Sequence, residues 1–161
     1  MMAIRPATRA DDDAIWAMLE PVIRAGEVFA LPRDMHREAA LTYWFTPEHT
    51  VFVAEEEGTI AGTYYIQPNQ RGGGSHVANC GYLTAPQAAG RGIAGAMCAH
   101  SLDYAKSTGY RAMQFNFVIS TNAAAIHLWT RHGFRTLTTL PGAFHHPTEG
   151  YVDALIMWRD L

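Results

Sequence analysis

The pattern of apolar and polar positions switches repeatedly between two periods along this chain. "AIRPA" (3–7) opens as a short strand, and Ala14, Ile15, Met18, Leu19, Val22 and Ile23 then recur at the spacing of a helix packed by one face. Thr8 stands three residues before Asp11, the signature of a capping box, so a helix start is expected there. Pro21 predicts a kink or a restart. "GEVFALPRDM" (26–35) reads as a loop and "HREAALTYWF" (36–45) as a short second helix. Two β-rich runs flank Glu56-Glu57-Gly58 and predict a hairpin. "RGGGSH" (71–76) is a further loop, followed by a strand over 77–84 that Pro86 ends. A helix from about Gly90 to Ser107 carries Ile93, Met97, Leu102 and Tyr104 on one side. The stretch 110–120 alternates as a strand at Met113, Phe115 and Phe117. The next helix, within 121–134, takes Thr121 or Asn122 as its cap and Gly133 at its end. "FRTLTTL" (134–140) and "VDALIMWRDL" (152–161) are closing strands joined by a loop, "PGAFHHPTEGY". The order predicts an α/β fold: a mixed sheet with helices on its faces. No repeat or long linker divides it, so residues 1–161 form one domain.

Composition narrows the function classes. The formal net charge is -3, and the twelve basic residues are arginines except for Lys106, scattered rather than clustered. That argues against nucleic acid as a partner. No run approaches the ~18–20 apolar residues of a membrane span, and the first residues show no apolar leader. Cys80 and Cys98 fit neither a disulfide framework nor a zinc motif. His145-His146 has no third ligand at recognisable spacing, so no metal is expected. A soluble, cytoplasmic protein is the expectation.

The candidate chemistry begins in "TAPQAAGRGIAGAM", Thr84 to Met97. A strand feeding a helix through a glycine-rich turn exposes the orphan amides of a helix start, and the helix dipole adds positive potential. Such a turn suits a phosphate or diphosphate, with Arg91 at its rim. The alternative is a glycine-rich helix start packed closely on a sheet. A Walker loop is excluded because no Gly-Lys pair exists. Gly90, Gly92 and Gly95 match GxGxxG formally. The stretch nevertheless lies mid-chain after a hairpin, and no acidic residue follows about 20 positions on, where a dinucleotide fold would place one.

Gln87-Ala88-Ala89-Gly90-Arg91-Gly92-Ile93-Ala94 resembles the Q/RxxGxG/A signature of the GCN5-related N-acetyltransferases, and "NAAAIHLWTRHGF" resembles that family's NxxAxxLYxxxGF segment. The resemblance implies a mixed, mostly antiparallel sheet whose two central parallel strands, here 77–84 and 111–118, splay apart around acetyl-CoA. It implies that Tyr82, Leu83 and Thr84 pair with the pantetheine arm. Gln87 and the backbone from Gly90 through Arg91, Gly92, Ile93 and Ala94 to Gly95 would hold the diphosphate, with Asn122, Ala125 and Trp129 along the arm. An amide near Leu83 is the expected oxyanion donor. Trp129 departs from the family tyrosine that protonates the thiolate, because an indole N–H only donates. Its alternative role is a core aromatic.

"HVANCGYL", "QFNFVISTN" and "LPGAFHHPTEGYVDALIM" further resemble the branch of fungal proline-analogue (azetidine-2-carboxylate) N-acetyltransferases. That likeness puts Asn79 and Asn116 beside the acceptor amine, as catalytic and substrate-binding residues. Asn is poor in strand interiors, which favours a polar role for both. Glu27, or a water held by an asparagine, is the candidate base; Glu27 is also readable as a solvated acid. Among the aromatics Phe29, Tyr43, Trp44, Tyr64 and Tyr65, Phe29 and Tyr64 are assigned to the acceptor side and the rest to it or to the core. The implied activity is acetyl transfer from acetyl-CoA to a small-molecule amine, such as an amino or imino acid, by direct attack. Family analogy admits a homodimer. Two alternatives remain at this point, a non-catalytic acyl-CoA sensor and an acetyltransferase for a protein amine. A closed acceptor channel would mark the first, and an open acidic groove the second.

Overall fold

The computed structural model describes all 161 residues. Its strands are β1 (Met2–Pro6), β2 (Thr50–Glu56), β3 (Thr59–Pro68), β4 (Val77–Thr84), β5 (Ala112–Ile119), β6 (Arg135–His146) and β7 (Gly150–Asp160). They form one seven-stranded sheet in the order β1-β2-β3-β4-β5-β7-β6. Every neighbouring pair is antiparallel except β4 and β5. The helices are α1 (Asp12–Ala25), α2 (Arg37–Trp44), α3 (Ile93–Ser107) and α4 (Ala123–Arg131).

Side-chain alternation along β3 and β4 separates the two faces of the sheet. Thr63 and Tyr65 meet Trp44 and Tyr43 of α2. Tyr64 and Tyr82 point the other way, to His100 and Ser101 of α3. Helices α1 and α2 therefore cover one face and α3 and α4 the other. At the start of the chain, Thr8 and Asp11 form the expected capping box around a single 3-10 turn, Arg9–Asp11. Arg5 ties this turn to β2, reaching Asp11 at 2.9 Å and Glu55 at 2.8 Å. Its guanidinium holds the Asp11 carboxyl below the usual carboxylate range.

Three local expectations are corrected. Pro21 neither breaks nor restarts α1, which runs unbroken to Gly26. The proline ring is exposed, while Ile15, Met18, Leu19 and Ile23 stay buried on the inner face, so packing outweighs the lost hydrogen bond. The helix expected from Gly90 starts only at Ile93, because Gly90 and Gly92 sit at φ 76° and 79°, in the left-handed region. The stretch read as a loop after residue 140 is mostly strand. Pro141-Gly142 lies in a bulge between Leu140 and Phe144, where the Gly142 amide meets the Asp153 carboxylate at 2.9 Å. β6 then resumes to His146, whose Nδ1 accepts the Thr148 and Glu149 amides and caps the turn into β7. His145 points away and stacks on Tyr151.

Candidate active site

β4 and β5 pair only at Val77–Ala112 and Ala78–Met113, then part. At the point of parting, Asn79 bridges the strands. Its Nδ2 donates to the Gln114 carbonyl of β5 at 3.0 Å, and its Oδ1 accepts from Gln67 of β3 at 3.1 Å. A buried side-chain amide thus replaces the ladder bond that the strands stop making. On the far side of the fork, β5 bulges between Phe115 and Val118, leaving Asn116 and Phe117 unpaired with β7 and turned into the gap. The cleft that opens has a volume of about 600 Å³.

The register of β3 on β4 settles which amides face this cleft. Asn69 bonds to Val77 and Ala85 bonds to Ala61, so alternate residues of β4 turn both polar groups to β3. Leu83, opposite Thr63, is one of them. Its amide therefore points away from the gap, which corrects its expected role as oxyanion donor. Cys80, Tyr82 and Thr84 direct their amides and carbonyls toward the gap and line the cleft.

Beyond β4 comes the glycine-rich turn. The amides of Ala89 and Ala96 are bonded to Pro86 and Gly92, but those of Gly90, Arg91, Gly92, Ile93, Ala94 and Gly95 meet no acceptor in the chain. This row of free donors at the start of α3 has the chemistry of an anion cradle. Glycine is required at positions 90 and 92 by conformation and not by crowding, since nothing lies within 4 Å of a Cβ built there. Arg91 is exposed and paired with Glu56 at the end of β2. Gln87 is exposed beside the turn, Ala94 lines the cleft and Ile93 is buried beneath it.

The α4 wall is aromatic. Trp129 lies 4.9 Å from Tyr82 and 4.9 Å from Phe115 between ring centroids, so it is both core and cleft lining. Asn122 caps α4, accepting the Ala125 amide at 3.3 Å, and both residues line the cleft. Burial pushes the Cys98 thiol up to about 12, and Cys80 also rises, so neither is a ready nucleophile.

The opposite wall comes from the α1–α2 loop, α2 and β3. Phe29 lines the cleft. Tyr64 does not: its fully buried ring lies under α3, with its hydroxyl 2.7 Å from His100 Nδ1. Tyr65 lines the cleft in its place, one residue on and on the other face. Its hydroxyl is 3.2 Å from that of Tyr43, and its ring stacks on His49 at 3.7 Å. Glu27 is exposed and does not line the cleft, so it is a solvated acid here. Asn116 is held by carboxamides on both sides, accepting from Gln114 at 2.9 Å and donating to Asn69 at 2.7 Å. Gln67, Asn69 and Gln114, which the sequence reading did not single out, complete a network of side-chain amides across β3, β4 and β5. The only signal for them was polar residues two apart, Gln67/Asn69 and Gln114/Asn116, in otherwise apolar strands. No lining side chain of the cleft carries a charge.

Comparison with known proteins agrees with this geometry. The sequence profile of the Acetyltransferase (GNAT) family matches residues 16–134. N-acetyltransferase aca1 from Schizosaccharomyces pombe is 35% identical over 99 residues, 61% of this chain and 47% of that protein. The chain thus aligns with about half the length of that relative. The solved structure of a GCN5-related N-acetyltransferase from Kribbella flavida is 40% identical and superimposes with a TM-score of 0.95, covering 99% of this chain and 98% of its own. A phosphinothricin acetyltransferase from Sinorhizobium meliloti, solved in complex with AcCoA, shares the fold at 20% identity and a TM-score of 0.85, over 99% of this chain and 88% of its own.

Proposed function

The chain belongs to the Acetyltransferase (GNAT) family, and from that premise we propose that it moves an acetyl group from acetyl-CoA to the amine of a small molecule. One observation carries the reading: the row of free amides from Gly90 to Gly95 lies at the start of α3, and its Ala94 lines the same cleft as the free edge of β4. The cradle would hold the diphosphate, and Cys80, Tyr82 and Thr84 would pair with the amide-containing arm. Acetyl-CoA supplies the activated acyl group. The amides of Cys80 and Tyr82, turned into the gap, are the donors available to an oxyanion there. Trp129 shapes the thioester end of the cleft, and holding both reactants in one fork supplies much of the rate.

The acceptor would enter on the Phe29–Tyr65 side. Its wall is mostly apolar, from Val28 to Leu31 with the two phenols of Tyr43 and Tyr65, and carries no charge, which favours a small amine over a lysine-rich peptide or a polyamine, whose extra charges would lie buried and unpaired. An acetylation screen over free amino acids, cyclic imino acids, arylalkylamines and polyamines, read by thiol release and product mass, tests the proposal. Acetylation of small monoamines supports it. Tight acetyl-CoA binding without acetylation of any amine rejects it.

A further inference from the structure

An amine that attacks a thioester must lose a proton, and no charged side chain lines this cleft. Four hydroxyl-bearing residues line it instead; Tyr82 turns its hydroxyl to Ser101 of α3 and Thr84 ends β4 beside the glycine-rich turn, which leaves Tyr65 and Tyr43 on the acceptor side. Tyr65 lies flat across Gly81: a Cβ built on Gly81 would stand 2.9 Å from the phenol oxygen and closer still to the ring. A glycine at this position is therefore what lets the phenol reach the edge of the fork. The ring is held from behind by His49, parallel at an interplanar angle of 3°. His49 is itself fixed by its Nδ1, 3.0 Å from the Trp44 carbonyl, so Nδ1 carries the proton. The Tyr65 hydroxyl meets Tyr43, a half-buried residue on α2, at 3.2 Å. Both tyrosines line the cleft, together with Asn79 and Gly81.

We propose that Tyr65 and Tyr43 form a hydroxyl relay that carries the acceptor amine's proton out of the fork; this rests on the acetyltransferase reading above. In the step, the amine nitrogen forms a bond to the acetyl carbon and the carbon–sulfur bond breaks. The Tyr65 oxygen accepts a proton from the nitrogen as its own proton passes to the Tyr43 oxygen, whose proton passes to water. The departing thiolate takes a proton from solvent, so the products are the N-acetylated amine and free coenzyme A, and both phenols end as they began. Burial raises the Tyr65 phenol far above its ordinary value, which suits a shuttle that never rests as a phenolate. Tyr65 is the catalytic residue and Tyr43 acts through it.

The test uses the full chain with the best amine from the screen and compares wild type, Tyr65→Phe, Tyr43→Phe and the double variant. Both rings stay in place, so folding is preserved and checked by acetyl-CoA affinity. Expected are a fall in kcat of about 100-fold for Tyr65→Phe, a smaller fall for Tyr43→Phe, and acetyl-CoA KM within about twofold of wild type. The double variant should be no slower than Tyr65→Phe, as for residues acting in one chain. Wild type should show a solvent deuterium isotope effect on kcat that Tyr65→Phe has lost. Retention of most of kcat by Tyr65→Phe, multiplicative effects in the double variant, or an unchanged isotope effect overturns the relay and leaves the acetyltransferase reading standing. A wild-type protein that acetylates no amine overturns both.

Discussion

Asn79 and Asn116 share a residue type and a network, but the fork uses them differently. Asn79 is 7% exposed, with both ends of its amide bonded. Asn79→Ala would strand the Gln67 amide and the Gln114 carbonyl, and should cost about 1–3 kcal/mol of stability in urea unfolding. Asn116 is exposed, so Asn116→Ala should leave the unfolding midpoint nearly unchanged. At Gly92, φ 79° makes any side chain strained. Gly92→Ala should cost about 1–2 kcal/mol of stability in urea unfolding, the cost of a left-handed alanine. No loss of stability would mean that the turn leaves the left-handed region, and acetyl-CoA affinity should then fall because the row of amides is no longer aligned. The glycine motif was legible in sequence because unusual residues marked it. Tyr64 and Tyr65 were not separable: adjacent identical residues leave the strand phase open, and one step reverses the face. Leu83 failed for the same reason, since which amides face the gap depends on the register of β3 on β4.

At the scale of elements, periodicity located α1 and α3 because each buries one apolar face, whereas β6 is exposed along most of its length. The ends of elements were less legible. Pro141-Gly142 carries the composition of a turn, yet the strand passes through it as a bulge. The gap between β4 and β5 was expected only through family resemblance, since neither strand's own pattern shows where pairing stops. The α2–β2 connection carries a pH dependence of its own. Burial lowers the pKa of His49 from the ordinary 6.5, outweighing its bond to the Trp44 carbonyl. The unfolded chain therefore binds the proton more readily, and stability falls as pH drops below about 6.5 until the folded-state value is passed. His100 is shifted the same way, chiefly by burial. His49→Phe keeps a ring against Tyr65 and removes one titration. Its thermal midpoint should fall less steeply than that of wild type as the pH is lowered from 7 toward 5, whatever its absolute value.

The molecule as a whole is divided by its fork. β1 to β4 lie on one side, and β5, β7 and β6 on the other. The strands at the junction pair at Val77–Ala112 and Ala78–Met113 only, and beyond that are joined by side chains: the Asn79 bridge, Cys80 and Tyr82 against the Met113 sulfur, and Tyr82 against Phe115. Helices α3 and α4 touch across the same line, where Gly95 faces Leu128 and His132. A ligand that fills the cleft from the cradle to Trp129 would contact both halves and the seam between them. Its binding should therefore stabilise the fold globally and not only the turn proposed to hold the diphosphate. At a free concentration of 100 times Kd, binding contributes about 2.7 kcal/mol, which for a chain of this size raises Tm by about 5–10 °C. Hydrogen exchange with saturating acetyl-CoA should slow amides in β4, in β5 and at the start of α4 together. Protection confined to residues 90–95, with β5 exchanging as before, would mean that the ligand grips the turn without entering the fork. The free edge of β4 would then have some other partner.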